Sequence, residues 1–130
     1  MYMKTTHHIS VTVDPVFLED QSIPVDKHYV WAYSIWIENQ GPEMVQLMER
    51  TWHITDAQGV GHEIKGEGVV GEQPWIAPGA TYHYASGTPL STPSGMMEGE
   101  YHMKTKSGRV FDVTIPAFSL DSPYETASVH

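Results

Sequence analysis

The ten residues Tyr29 to Glu38, YVWAYSIWIE, leave the chain little choice of local structure. Tyr29, Trp31, Tyr33, Ile35 and Ile37 recur at every second position, and all five are aromatic or β-branched. A helix would scatter them around its circumference, whereas a strand gathers them on one face. Ala32 and Trp36 make the other face partly apolar as well, which points to a central strand of a sheet.

The rest of the chain has the same period. Ile9, Val11 and Val13 alternate with Ser10 and Thr12 in a strand running to about Phe17. Leu18 to His28 carries acids and Pro24 without a helical repeat and is expected as a surface loop. Asn39-Gln40-Gly41-Pro42 has turn chemistry, so a hairpin into Met44 to Asp56 should follow. In that segment Val45 and Leu47 lie on one face but Met48, Trp52 and Ile54 on the other, which predicts a bulge between Met48 and Arg50. Beyond Ala57 to Gly61, His62 to Lys65 is a short strand with Ile64 facing inward, and Thr81 to Ala85 is another, with Tyr82 and Tyr84 on a shared face. Ser86 to Gly95 is rich in turn residues and predicts a connection. Glu98 to Lys106 should pair through Ser107-Gly108 with Val110 to Ile115, with Phe118 and Leu120 packing after Pro116 ends central pairing.

Seven short strands without a credible helix predict an all-β fold, an antiparallel seven-stranded β-sandwich of immunoglobulin or fibronectin type III kind. One domain over residues 9–120 is expected, between flexible tails at 1–8 and 121–130. Eleven Gly and nine Pro lie between the apolar segments and punctuate them. Sixteen acidic against seven basic residues give a formal charge of -9, which repels polyanions and argues against nucleic acid as a ligand. The absence of Cys removes disulfides, thiolate chemistry and Cys-type zinc sites. No apolar run approaches a bilayer span and Met1 to Ser10 lacks signal-peptide features, so neither membrane insertion nor export is expected, and the cytoplasm is the expected compartment.

Gly66-Glu67-Gly68-Val69-Val70-Gly71 has the letters of a phosphate loop. Such a loop needs a helix whose N-terminal amides hold the pyrophosphate, and Pro74, Pro78 and Gly79 prevent one from starting here. Glu67 and Glu72 flank the motif and Lys65 is its one adjacent cation, so the glycines are expected to shape a tight β corner. Arg50 and Trp52 share a strand face, which puts the guanidinium along the indole or on a nearby carboxylate. The eight His include no HxxxH or His-x-His pair, and His7-His8 alone would bind a metal weakly; a cross-strand site using His62 and Glu63 is the metal arrangement left open. No GxSxG elbow occurs, and Glu98 with Glu100 has no pocket signal beside it, so no catalytic set is expected.

VWAYSIWIEN (Val30 to Asn39), VQLMERTWHITD (Val45 to Asp56), GEGVVGEQPWIAPG (Gly66 to Gly79), SGTPLSTPSGMMEGEYHM (Ser86 to Met103) and IPAFSL (Ile115 to Leu120) together resemble the bacterial ApaG family, also called CorD, from Val11 to about Pro123. The resemblance implies a fibronectin type III-like sandwich in a small cytosolic protein, associated with cobalt resistance and magnesium efflux. It also implies no catalytic residues and no cofactor, while eukaryotic relatives carry the domain as an interaction module. A binding surface of Arg50, Trp52, Gly66, Gly68, Gly71, Glu72, Gln73, Pro74 and Trp75 is therefore expected, with a protein as partner. The alternative is sensing of a small anion such as pyrophosphate or a nucleotide, or of a divalent cation; pairing of two copies stays open. Thr51 stands where the family pattern has His, which weakens any role there that needs an imidazole.

Overall fold

The computed structural model describes residues 1–124. Nine strands run in chain order: β1 (Tyr2–Thr6), β2 (Ile9–Phe17), β3 (Tyr29–Asn39), β4 (Val45–Asp56), β5 (Gly61–Glu67), β6 (Trp75–Ile76), β7 (Thr81–Leu90), β8 (Gly95–Thr105) and β9 (Val110–Leu120). Two single-turn 3-10 segments, Glu19–Gln21 and Pro24–Asp26, interrupt the loop after β2. One antiparallel sheet has the order β1-β2-β3-β7, the other β5-β4-β8-β9 with β6 beside β4. The sandwich expected from the sequence is the fold.

The core follows from the alternation. β3 lies between β2 and β7, and Tyr29, Trp31, Tyr33, Ile35 and Ile37 are all buried against the facing sheet. Trp31, Tyr101 and Phe118 are the largest fully buried side chains. Burying side chains of this size contributes about 1.5–3 kcal/mol each. At the centre the Tyr84 and Tyr101 hydroxyls share a 2.6 Å hydrogen bond.

Several sequence expectations change in the folded chain. Among the described residues the strands number nine rather than seven. Residues 2–6, expected in a tail, form β1 paired with β2, and His7 and His8 make the two-residue turn between them with φ of 49° and 66°. No hairpin joins β3 to β4. Both edges of β3 are taken by β2 and β7, so the chain crosses to the other sheet. Asn39 fixes that crossover: its buried Nδ2 donates to the Glu43 and Ile76 carbonyls, and its Oδ1 accepts from the Gly41 N–H. Ser86–Leu90 continues β7 instead of forming a connection, because Thr88 and Leu90 keep the inward alternation. Ile64 is exposed, since β5 is the edge strand of its sheet. β9 carries on past Pro116 to Leu120, which an edge strand tolerates and a register shift at Met97/Gly99 accommodates. Of the expected C-terminal tail, Asp121 accepts from the Trp31 indole N–H at 2.8 Å and the Tyr124 hydroxyl donates to Glu19 at 2.6 Å; 125–130 lies outside the described residues.

The two flanks of the sandwich differ. β1 packs on β9, where the Thr114 N–H donates to the Thr6 hydroxyl and the Ser119 N–H to the Tyr2 hydroxyl. On the opposite flank the backbone of β7 pairs with β3 alone and that of β5 with β4 alone among the described residues.

Burial raises the Tyr101 hydroxyl well above its ordinary pKa, and burial likewise raises Tyr84, partly offset by the Tyr101 hydrogen bond. Both stay neutral in the fold when the unfolded chain would ionise near the ordinary value of 10.0. Their stabilising contribution is complete below that pH and falls as pH rises above it. In an alkaline titration followed by tyrosinate absorbance, two tyrosines should ionise only together with loss of structure. A Cβ at Gly99 would collide with the Thr51 carbonyl on β4. Gly99→Ala should therefore lower the urea-unfolding free energy by about 1–3 kcal/mol.

Candidate functional site

The site is built on the β4 bulge. The register of β4 on β8 skips Met48 between Leu47 and Glu49. The Met48 carbonyl accepts from the Gly68 N–H at 2.8 Å and from Gln73 Nε2 at 2.9 Å. One oxygen thus holds the two ends of the glycine stretch. Gln46 Nε2 donates to the Gln73 carbonyl at 3.0 Å and the Leu47 N–H to the Pro74 carbonyl at 3.0 Å, and Trp75 and Ile76 then pair with Gln46 and Val45.

Within the stretch Val69 and Glu72 exchange hydrogen bonds of 2.8 and 2.9 Å, closing a two-residue turn. Its central residues Val70 and Gly71 have φ of 44° and 82°, the sign pattern of a type I′ turn. Gly71 adopts this freely, while a β-branched residue such as Val70 is strained there. Gly68, at φ 58°, lies so close to the Glu72 carbonyl that any Cβ would collide with it. These glycines shape a β corner, and no helix follows them.

Arg50 closes the corner from beneath. Its Nη1 donates to the Gly68 carbonyl at 2.7 Å and to the Glu67 carbonyl at 3.2 Å. The guanidinium lies against Gly66, where a Cβ would sit 2.7 Å from Nη1. The expected carboxylate or indole partner is replaced by backbone carbonyls. Among the described residues no carboxylate lies within 4.0 Å of the guanidinium. Trp52 does not stack on it because the indole is pressed into the core, edge-on to Tyr33 and Phe118.

Arg50, Trp52, Gly66, Glu67 and the corner face Tyr33, Tyr84 and Ser86 across a cavity of about 260 Å³ between the sheets. Burial raises the Tyr33 hydroxyl, with Ser86 and Arg50 pulling the other way. The cavity therefore presents one cation beside neutral hydroxyls. On the outside of the corner, Val70 is 56% and Trp75 47% exposed. Glu72 Oε2 accepts from the Tyr82 hydroxyl at 3.1 Å, and burial together with that carboxylate raises the Tyr82 pKa. The structure thus joins Arg50, Gly66, Gly68, Gly71, Glu72, Gln73 and Pro74 in one corner. It puts Trp75 on the corner's outer surface and Trp52 on the floor of the cavity.

Sequence reasoning missed Met48, whose part is played by its carbonyl, and missed Tyr33, Tyr84 and Ser86, which come from the other sheet. It also missed a polar chain on the outer face of β4, β8 and β9: Thr51 Oγ1 is 2.8 Å from His102 Nε2, and His102 Nδ1 is 2.6 Å from Asp112. The order is that of a hydroxyl, an imidazole and a carboxylate. Thr51, however, is buried in mid-strand with β5 paired on one side and β8 on the other. The chain of bonds links β4, β8 and β9 across the sheet. Likewise Glu63 does not join His62; it and Glu100 flank His53 at 3.7 and 3.6 Å. No group of three or more metal-ligating side chains converges among the described residues.

Residues 19–105 match the family described as the ApaG domain. The chain is 58% identical over 125 residues to Protein ApaG of Paramagnetospirillum magneticum, covering 96% of each, and 55% identical over 130 residues to Protein ApaG of Parvibaculum lavamentivorans, covering 100% of each. It is also similar to a crystal structure described as the ApaA protein of Bordetella pertussis, at 43% identity and a TM-score of 0.86, with 88% of this chain and 94% of that one covered. A second X-ray structure, a structural-genomics target, matches at 45% identity with a TM-score of 0.84 over 89% and 88% of the two chains.

Replacing Arg50 by Met keeps the stem against Gly66 and removes both charge-assisted bonds to the corner. Arg50→Met should cost about 1.5–3 kcal/mol in chemical denaturation and speed hydrogen exchange at the Val69 and Glu72 amides. Unchanged exchange at those two amides would show that Arg50 does not hold the corner.

Proposed function

The chain belongs to the ApaG domain family, and from that premise we propose that it is a non-enzymatic binding module whose partner is a protein. The observation that carries this reading is the corner itself. Arg50 and the Met48 carbonyl hold residues 66–76 in one shape while Val70 and Trp75 stand in solvent. Large apolar side chains on a pre-organised loop are the usual anchors of a protein interface, because little ordering entropy remains to be lost on binding. Glu72 adds a charge at the edge of the patch, suited to a basic partner surface given the chain's formal charge of -9. In this reading the chain works in the cytoplasm, and any link to cobalt resistance or magnesium efflux runs through the partner rather than through bound metal.

A second reading is favoured by one observation, the Arg50 guanidinium with no carboxylate within 4.0 Å among the described residues. A small anion such as pyrophosphate would find in the cavity a cation and hydroxyl donors. Glu67 at its rim opposes a multiply charged ligand. Calorimetry with pyrophosphate decides this reading, which fails if millimolar ligand gives no heat.

For the leading reading, proteins captured by the wild-type chain from a bacterial lysate should be lost with Trp75→Ala and with Glu72→Lys, both exposed changes that leave the fold intact. Equal capture by all three chains would overturn it. Val70→Asn should relieve the strained turn, raising stability by about 0.5–1 kcal/mol in thermal unfolding. The same change should weaken partner capture, which separates the contact made by Val70 from the stability of the corner.

A further inference from the structure

The geometry points to an extended peptide segment as the partner: it adds as a strand along the free edge of β7 and sets one acidic side chain on the Arg50 guanidinium. This inference rests on the binding-module reading and gives that partner its chemistry.

Four strands end the two sheets, and three of their edges are guarded. β1 carries Lys4, β5 carries Glu63, Lys65 and Glu67, and β9 carries Asp112 and Pro116 and is packed by β1. Charges and Pro on an edge strand discourage further pairing. β7, Thr81-Tyr-His-Tyr-Ala-Ser-Gly-Thr-Pro-Leu90, contains no charged residue, and its one Pro falls at position 89. Its backbone paired with β3 alone among the described residues, it turns the N–H and C=O groups of alternate residues outward along Thr81–Thr88. Such an edge is a template for strand addition.

The Arg50 cavity opens on the same flank. Tyr84 and Ser86 of β7 face into it opposite Arg50. A strand laid on β7 has its own inward side chains beside these two. Among the described residues both hydrogen bonds of the guanidinium leave from Nη1, so Nη2 is the nitrogen offered to an incoming acceptor. At about 260 Å³ the cavity admits one side chain. A second copy of this chain does not fit that requirement, because β7 has no Asp or Glu to offer Arg50. The formal charge of -9 further selects a segment with one acid among uncharged or basic residues.

The test is amide NMR of the full chain titrated with an acetylated, amidated octapeptide of alternating Thr and Val with one central Glu. Shift changes should map to the Thr81–Thr88 amides and the Arg50 Nε–H. The peptide with Gln for Glu should bind at least about tenfold more weakly, as loss of a charge-assisted pair predicts. N-methylation at alternate residues, or Ala85→Lys on the exposed edge, should abolish the β7 shifts. Equal binding of the Glu and Gln peptides, or no shift in β7 at millimolar peptide, overturns the proposal. So do shifts with free glutarate that reach Arg50 and match those of the peptide, which would mark a small-anion site. Broadening of β7 resonances with protein concentration alone would identify a second copy as the occupant and also overturn it. If partner capture remains Trp75-dependent while the peptide leaves β7 untouched, the module reading stands and strand addition falls.

Discussion

A single backbone oxygen organises the candidate site. The bulge takes Met48 out of the β4–β8 ladder, and its carbonyl then anchors both Gly68 and Gln73. The Gln46 and Leu47 bonds to Gln73 and Pro74 and the Arg50 bonds to Glu67 and Gly68 complete the hold on residues 66 to 76. The bulge also sets which side chains face inward afterwards, so Arg50 points under the corner and Trp52 into the core. One irregularity in one strand therefore supplies the anchor, the cation and the hydrophobic floor of the same cavity.

The corner illustrates how local strain is held by its surroundings. Val70 sits at positive φ because the Val69–Glu72 bonds close the turn and Gly68 leaves no other path past the Glu72 carbonyl. Buried Val69 and the Arg50 bonds to Gly68 and Glu67 fix the turn from inside. The result is an exposed apolar tip on a rigid base, the opposite of a mobile loop that must order itself on contact.

Much of this was legible in the sequence where side-chain period carries the information. The alternation in Tyr29 to Glu38 gave a central strand, the phase change after Leu47 gave the bulge, and Pro74 with Pro78 ruled out a phosphate-loop helix. Legibility failed where backbone geometry or cross-sheet partners decide. The β3–β4 crossover depends on both edges of β3 being occupied, which the turn residues Asn39 to Pro42 do not encode. Arg50 was expected on a carboxylate or an indole, because carbonyl acceptors such as those of Glu67 and Gly68 have no letter of their own. Ser86 to Leu90 was hidden as a strand by its Gly, Ser and Pro content, although Thr88 and Leu90 keep its inward period.

The unequal flanks give the sandwich a chemical asymmetry. Along β1 and β9 the sheets are joined by the Thr6–Thr114 and Tyr2–Ser119 bonds, while along β7 they are joined by the Tyr84–Tyr101 and Tyr82–Glu72 bonds and β5 pairs with β4 alone among the described residues. Both bonds at the β7 margin end on tyrosine hydroxyls, so that side of the sandwich is latched by phenols, while the β1 side is latched through backbone amides.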